Sequence, residues 1–300
     1  MDARLERIGR YAAVARGLER EGAYNAAKLL RAAMKRELVR YAEAEAPSGS
    51  PSAAAALETL VVDPSADLPG GLAPLLAGLP AAVREGRTIS LADAPRVRVC
   101  RVCGHLFLGD DVPGACPECE APALSLQEEL PVWYLEPADR GAIMAALAAG
   151  PRHLAVALHG RADEDLARPP APGEWSAVQA LEHLLYSEEL LADRIERLLA
   201  EPEPDLAAAA VWADTPASDE GSATTGETAS AVMARVSALR HATVTRLAGL
   251  PEPDWGRAGN HPEWGRVTVL SQAAYFARHE ASHLAQLVAA AQGRLPGREA

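Results

Sequence analysis

The sequence predicts a mainly α-helical chain with three parts: short helices at the N-terminal end, a small four-cysteine knuckle, and a four-helix bundle in the C-terminal half. Three observations carry this. About a fifth of the 300 residues is alanine, the best helix former. From Ala138 to about Gln292, apolar residues recur at i, i+3 and i+4 in long runs. Residues 96–125 change character, with valine alternation, glycine turns and all four cysteines.

Composition bounds the rest. Hydrophobic residues at 49% and charged residues at 23% are an ordinary globular balance. The formal net charge of −12 argues against nucleic-acid binding, which needs a concentrated basic surface. Aromatics are only 4%, so few large anchors are expected. The N-terminal MDARLERIGRYAAVARG has no apolar core of a signal peptide. No run reaches 18 apolar residues, so no membrane span is expected. Four cysteines in this length do not make a disulfide scaffold, and a reducing cytoplasm is the expected address.

The elements follow in order. Residues 1–95 read as a helical region. Its first helix, Arg4–Arg16, is expected to break near Gly17 and Gly22. A second spans about Ala23–Ala44, with Ala27, Leu30, Met34, Leu38 and Tyr41 on one face. The small positive charge here reads as a solvated face. APSGSPS (46–52) is a linker by composition, and 53–90 holds short helices separated by Pro and Gly. Residues 96–125 form the cysteine domain, and LPVWYLEP (130–137) is a connector bounded by prolines.

Residues 138–293 form the bundle, with helices Arg140–Leu158, Ser176–Ala200, Thr228–Leu250 and Val267–Ala291. The first is expected to be interrupted at Gly150-Pro151. Ser176 reads as an N-cap. Residues 201–227 are a long polar connection of the kind that is usually functional or disordered, and it would let the bundle cross over. Thin, Ala-rich helical faces suit a homodimer.

The strongest chemical signal is Cys100-x2-Cys103, twelve residues, then Cys116-x2-Cys119. Two such knuckles facing each other place four thiolates at the corners of a tetrahedral metal site. Gly104 permits close approach of backbone N–H groups to sulfur. Cys-x2-Cys-Gly-His105, Pro113 and Cys-Pro-x-Cys resemble the short rubredoxin-like domain of rubrerythrins, over about 30 residues. That resemblance implies iron or zinc. Glu120 stands where a glycine usually follows the fourth cysteine, which puts one N–H···S bond in question. With Phe107 the only nearby aromatic, structural zinc is the expected occupant, since an iron site needs tuning by burial and hydrogen bonds.

GLEREGAYNAAKLLRAAMKREL is similar to a rubrerythrin helix. A di-iron site in that fold needs two Glu-x-x-His pairs. The first histidine of the chain is His105, and Arg40 stands where Glu37 would need a histidine partner. Residues 1–99 therefore supply no histidine ligands, and they read as a helical remnant or partner surface.

The C-terminal helices carry His183, His279 and His283. His279 and His283 are i and i+4, on one helix face, and can share one ion. His183 lies among Leu181, Leu184 and Leu185. It is either a satisfied core histidine or a third ligand, and the neighbouring pair favours the ligand. Three histidines leave a position open for water or substrate. His279-Glu280-x-x-His283 also matches the zincin string, but Ala289 stands where the extended form needs a third histidine. Glu280-x-x-His283 is the only Glu-x-x-His in the chain, so a symmetric di-iron site is unsupported.

PGEWSAVQALEHLLYSEELLADRI and NHPEWGRVTVLSQAAYFARHEASHLAQL resemble the second helix and the last loop and helix of DinB/YfiT-like four-helix bundles. The likeness rests on Trp175-Ser176, His183, and the His279, His283 and Gln286 pattern. It covers about 155 residues. It implies a divalent metal, often nickel or zinc, on His183, His279 and His283. It further implies thiol transfer with a low-molecular-weight thiol, or metal-assisted hydrolysis. Glu280 is the candidate base toward a metal-bound water, although it points about 100° away from His279 around the helix. His261 and Trp264 could line the pocket mouth. Gln286 orients a ligand or packs. His153, His159 and His241 have no partner pattern. Two further readings stay open: an electron-transfer or redox-sensing protein with cysteine-bound iron and a redox partner, and a metal-stabilised interaction protein without turnover.

Overall fold

The computed structural model describes residues 3–45, 53–63, 66, 68, 71–85, 87, 89–206 and 226–295. They fall into two compact units, Met1–Leu68 and Pro69–Ala300.

In the first unit, α1 (Ala3–Arg20) and α2 (Tyr24–Glu45) pack as a hairpin. Arg7 bonds Glu37 at 3.1 Å and Arg31 bonds Glu19 at 2.5 Å across it. The expected break at Gly17 is absent. An internal glycine weakens a helix by about 0.5–1 kcal/mol without ending it. The stop is Gly22, whose left-handed φ of +79° turns the chain as a helix-terminating glycine does. The short helix α3 (Ala53–Val62) follows. The expected linker 46–52 lies outside the described residues.

The second unit opens with α4 (Leu72–Ala77) and α5 (Pro80–Arg84). An antiparallel sheet comes next: β1 (Val97–Cys100), β2 (Leu106–Leu108) and β3 (Leu126–Glu129), in the order β2-β1-β3. Its register pairs Cys100 with Leu126 and Val97 with Leu108. A single 3-10 turn at Trp133–Leu135 then leads into the bundle.

The bundle consists of α6 (Arg140–Leu158), α8 (Ala177–Ala200), α9 (Ala229–Ala248) and α10 (Val269–Ala291), with the one-turn α7 (Asp163–Leu166) after α6. Each of α6 and α8 packs on both α9 and α10. The starts are capped as the sequence dictates. Asp139 accepts from the Ala142 N–H at 2.8 Å. Ser176 and Gln179 close a reciprocal capping box, and Thr268 and Ser271 form another. Each such cap contributes about 1 kcal/mol. The inward stripes, with Leu147, Leu191, Ile195, Leu198 and Leu247 at one end and Leu154, Leu181, Val236 and Leu287 at the other, form the core.

Two expectations need correction, at α6 and at the loop before the last helix. α6 is not interrupted at Gly150-Pro151 but runs through both, because another side chain takes over the carbonyl that the proline leaves without a donor. By length and composition α6 could also cross a bilayer, although Ile143, Leu147 and Leu154 are buried in the bundle. Finally, the loop before the last helix is a β-hairpin, β4 (Ala258–His261) paired with β5 (Gly265–Thr268). The expected long connection falls largely on residues 207–225, outside the described residues.

Candidate metal centres

The four cysteines come together between the ends of the small sheet. Their Sγ atoms all lie within 4.8 Å of one another, with Cys100–Cys119 at 3.7 Å and Cys103–Cys116 at 3.6 Å. A tetrahedral ion with bonds near 2.3 Å requires S···S separations of about 3.8 Å, so the four sulfurs fit one.

The two knuckles repeat one backbone pattern. The N–H of Cys100 donates to His105 O, and that of Cys116 to Ala121 O, both at 2.8 Å. The N–H of Gly104 donates to Cys100 O, and that of Glu120 to Cys116 O, also at 2.8 Å. Gly104 has φ +85° and Glu120 has φ +59°. The non-glycine residue thus adopts the left-handed conformation, and the questioned contact is kept, with the Ala121 N–H donating to the Cys119 thiol.

The electrostatics show why this cluster needs a cation. The N–H of Cys103, with that of Val102, draws the Cys100 thiol down to about 7. At Cys119 the Ala121 N–H acts in the same direction, but burial and the three neighbouring thiols outweigh it and push the thiol up to about 12. One thiolate forms readily and four cannot form together without a positive charge between them.

The second centre lies between α8 and α10. His183 of α8 meets His279 and His283 from successive turns of α10. The Nε2 of His279 is 3.2 Å from that of His183 and 3.1 Å from that of His283. Three nitrogens bonded at about 2.0–2.1 Å to a tetrahedral ion would lie about 3.3 Å apart, so this donor set also fits a metal. No carboxylate or thiol among the described residues joins the group within the same 4.8 Å. Burial lowers all three histidines, His183 to about 4 and His279 to about 3; charge on neighbouring imidazoles adds to this at His183 and His279, while at His283 the Gln286 hydrogen bond opposes it. The rings are therefore neutral at pH 7, the form that ligates. Nδ1 of His283 lies 2.9 Å from Gln286 Oε1. As Nδ1–H it donates there and leaves Nε2 bare for an ion.

Aromatic rings wall this centre in a chain that has few. Trp175 stacks on His283 at 5.9 Å and tilts over His183 at 4.9 Å. Tyr275 stacks on His279 at 5.8 Å, and Tyr134 meets the same ring edge-on at 5.8 Å. Tyr275, four residues before His279, was findable from helical spacing. Tyr134 was not, because nothing periodic marks the connector.

The remaining candidates lie elsewhere. The carboxylate of Glu280 is buried and bonded to Arg240 at 2.8 Å. It does not join the histidine group. Burial raises its pKa against the opposing pull of Arg240. His261 is buried rather than at a mouth. It stacks on Trp264 at 3.8 Å, with Nε2 3.2 Å from Arg194, and Trp264 in turn meets Tyr275 at 4.5 Å. His153, His159 and His241 are exposed.

Two parts of the chain resemble known proteins. Residues 146–287 match the DinB superfamily, so the bundle is DinB-like. Residues 99–124 match the rubredoxin-like domain of rubrerythrin. Among solved structures, YfiT from Bacillus subtilis, described as a probable metal-dependent hydrolase with an unusual four-helix bundle topology, is 19% identical with a TM-score of 0.43, covering 53% of this chain and 92% of that one. No curated protein matches the chain.

Proposed function

We propose that the three-histidine centre is the working site of a metal-dependent thiol S-transferase or hydrolase, and that the four cysteines hold a structural zinc ion. One observation carries the reading. Three neutral imidazoles converge at ligand spacing inside a DinB-like bundle, with no fourth protein ligand among the described residues. Catalytic ions keep such an open position, whereas structural ones are closed by four ligands. The two centres of this chain divide in that way.

A divalent ion there, zinc or nickel, would supply Lewis-acid polarisation and a lowered pKa for the water or low-molecular-weight thiol that it binds. The chain's own residues do the rest. Gln286 fixes the His283 tautomer. Trp175, Tyr134 and Tyr275 exclude bulk water from the imidazoles, which strengthens every electrostatic interaction within the pocket. Glu280 is not a base in this proposal. Its carboxylate is held by Arg240 and joins α10 to α9.

The test is elemental analysis of the full chain, purified without chelators, beside His279→Ala. Two metals per chain are expected, with one lost in the variant and the cysteine-bound ion retained. Full metal content in His279→Ala would overturn the ligand assignment. Assays with thiol and ester substrates then separate transfer from hydrolysis. Turnover with neither, in a fully loaded chain, would leave the metal-stabilised interaction protein.

The rubredoxin-like match at 99–124 favours one further reading, in which iron on the cysteines works as a redox centre. It expects a coloured protein whose thiolate-to-iron band bleaches on reduction. A colourless, redox-silent preparation would remove it.

A further inference from the structure

The two matched segments leave residues 125–145 between them, and the connector in that gap does more than link. It docks on α10 beside the histidines. The phenol of Tyr134 donates to Ser282 Oγ at 2.8 Å, and Ser282 Oγ donates to His279 O at 2.7 Å. The Arg278 guanidinium donates to three carbonyls of this connecting strap: Tyr134 O at 2.9 Å, Glu136 O, and Pro137 O at 3.2 Å. The strap begins directly after β3, which pairs residue by residue with the strand that ends in Cys100. The chain entering the knuckle is fastened too, with Leu91 and Arg96 lying against Gly265 of the β4–β5 hairpin.

His279 is a histidine in need of such support. A metal-bound histidine is normally oriented by a hydrogen bond at its other ring nitrogen. His283 has one to Gln286. Nδ1 of His279 is buried and has no hydrogen-bond partner among the described residues. Its ring is held by Tyr275 stacked on one side and Tyr134 standing edge-on.

Resting on the metal reading above, we infer that Tyr134 is the positioning residue for His279, and that the four-cysteine module serves to hold it there. Loading of the cysteine site and metal affinity at the histidine site are then linked. Metal at the cysteines orders the sheet, the sheet fixes the strap, and the strap fixes the ligand ring. By reciprocity, filling the histidine site tightens the knuckle by the same factor.

The test titrates cobalt(II) into the full-length chain carrying zinc on its cysteines. Affinity is read by chelator competition, and the site by ligand-field absorption. Sulfur-to-cobalt charge-transfer bands report any metal that moves to the cysteines. Tyr134→Ala is expected to weaken cobalt binding by about 10- to 100-fold, the usual loss when an orienting group is removed, and to alter the ligand-field spectrum. Tyr134→Phe keeps the ring and is expected to rescue both. Cys119→Ser, with helicity checked by circular dichroism, is expected to weaken the histidine site to a similar degree although every histidine remains. Parental affinity and spectrum in Tyr134→Ala would overturn the positioning role. Parental behaviour in folded Cys119→Ser would overturn the linkage. If the parent and His279→Ala bound cobalt alike, the metal reading itself would fail, and this inference with it.

Discussion

Pro151 and Arg240 meet at one carbonyl. Pro151 has no N–H to donate to Leu147 O, the acceptor four residues earlier in α6, and the Arg240 Nη1 donates to that oxygen instead at 2.9 Å. The same guanidinium, 2% exposed, donates from Nε to Glu188 at 2.7 Å and from Nη2 to Glu280 at 2.8 Å. Arg240 thus ties α9 to the other three helices of the bundle. Burial opposes its charge, and the two carboxylates outweigh that and keep it protonated.

Arg240→Met should cost about 3–5 kcal/mol, because it strands two buried carboxylates as well as Leu147 O. Urea unfolding followed by circular dichroism measures this. Pro151→Ala should recover part of the loss in the Arg240→Met background, where it restores the helical donor to Leu147 O, and recover less in the parent. Additive effects of the two substitutions would refute the shared carbonyl.

Gly150→Ala should destabilise the protein although alanine is the better helix former. A Cβ there would lie 2.1 Å from Glu280 Oε1 and 2.7 Å from Arg240 Nη1. Overpacking of this kind costs about 1–3 kcal/mol. Gly9→Ala, in α1 with nothing within 4 Å, should instead stabilise by about 0.5–1 kcal/mol. Paired thermal melts give the two signs.

Glu120→Gly should strengthen the knuckle. The left-handed conformation costs a non-glycine residue about 1–2 kcal/mol, more than the roughly 0.4–1 kcal/mol that glycine adds to the entropy of the unfolded chain. Slower loss of metal from the cysteines to a chelator is the expected readout. Faster loss would mean that the Glu120 side chain makes a compensating contact.

Acid should loosen the second unit in a defined window. Burial, helped by the Arg194 charge, lowers His261 from 6.5 to about 4. The unfolded chain then binds a proton that the folded chain refuses. This contribution to stability is complete above about pH 6.5 and is lost as pH falls toward about 4, by up to about 1.4 kcal/mol per pH unit for one proton. His261→Asn keeps an acceptor for the Trp264 N–H and does not titrate. Its stability should vary less across the window than the parent's, and identical profiles would refute the shift.

Much of the architecture was legible because it rests on local rules. Helical periodicity gave the four bundle helices almost residue by residue, and Ser176 with Gln179 marked a start that the capping box realises. Periodicity failed where a distant side chain intervened. Gly150-Pro151 reads locally as a break, and only Arg240, about ninety residues on, turns it into a continuous helix. Glu280 misled for the same reason. Beside a ligand histidine it suggests a base, and its partner lies on another helix.

The Cys-x2-Cys spacing and the His279–His283 repeat determine which donors lie side by side, because three or four positions of chain leave little freedom in how such side chains can be placed. Which groups surround those donors is a different matter. Tyr134 and His279 are separated by 145 positions, and no local propensity links them. Their contact exists because the small sheet delivers the strap onto α10 and because the Arg278 guanidinium can reach three carbonyls at once. Short-range geometry set the cysteine pairs and the His279–His283 pair, and long-range packing brought His183 to them and chose what surrounds them.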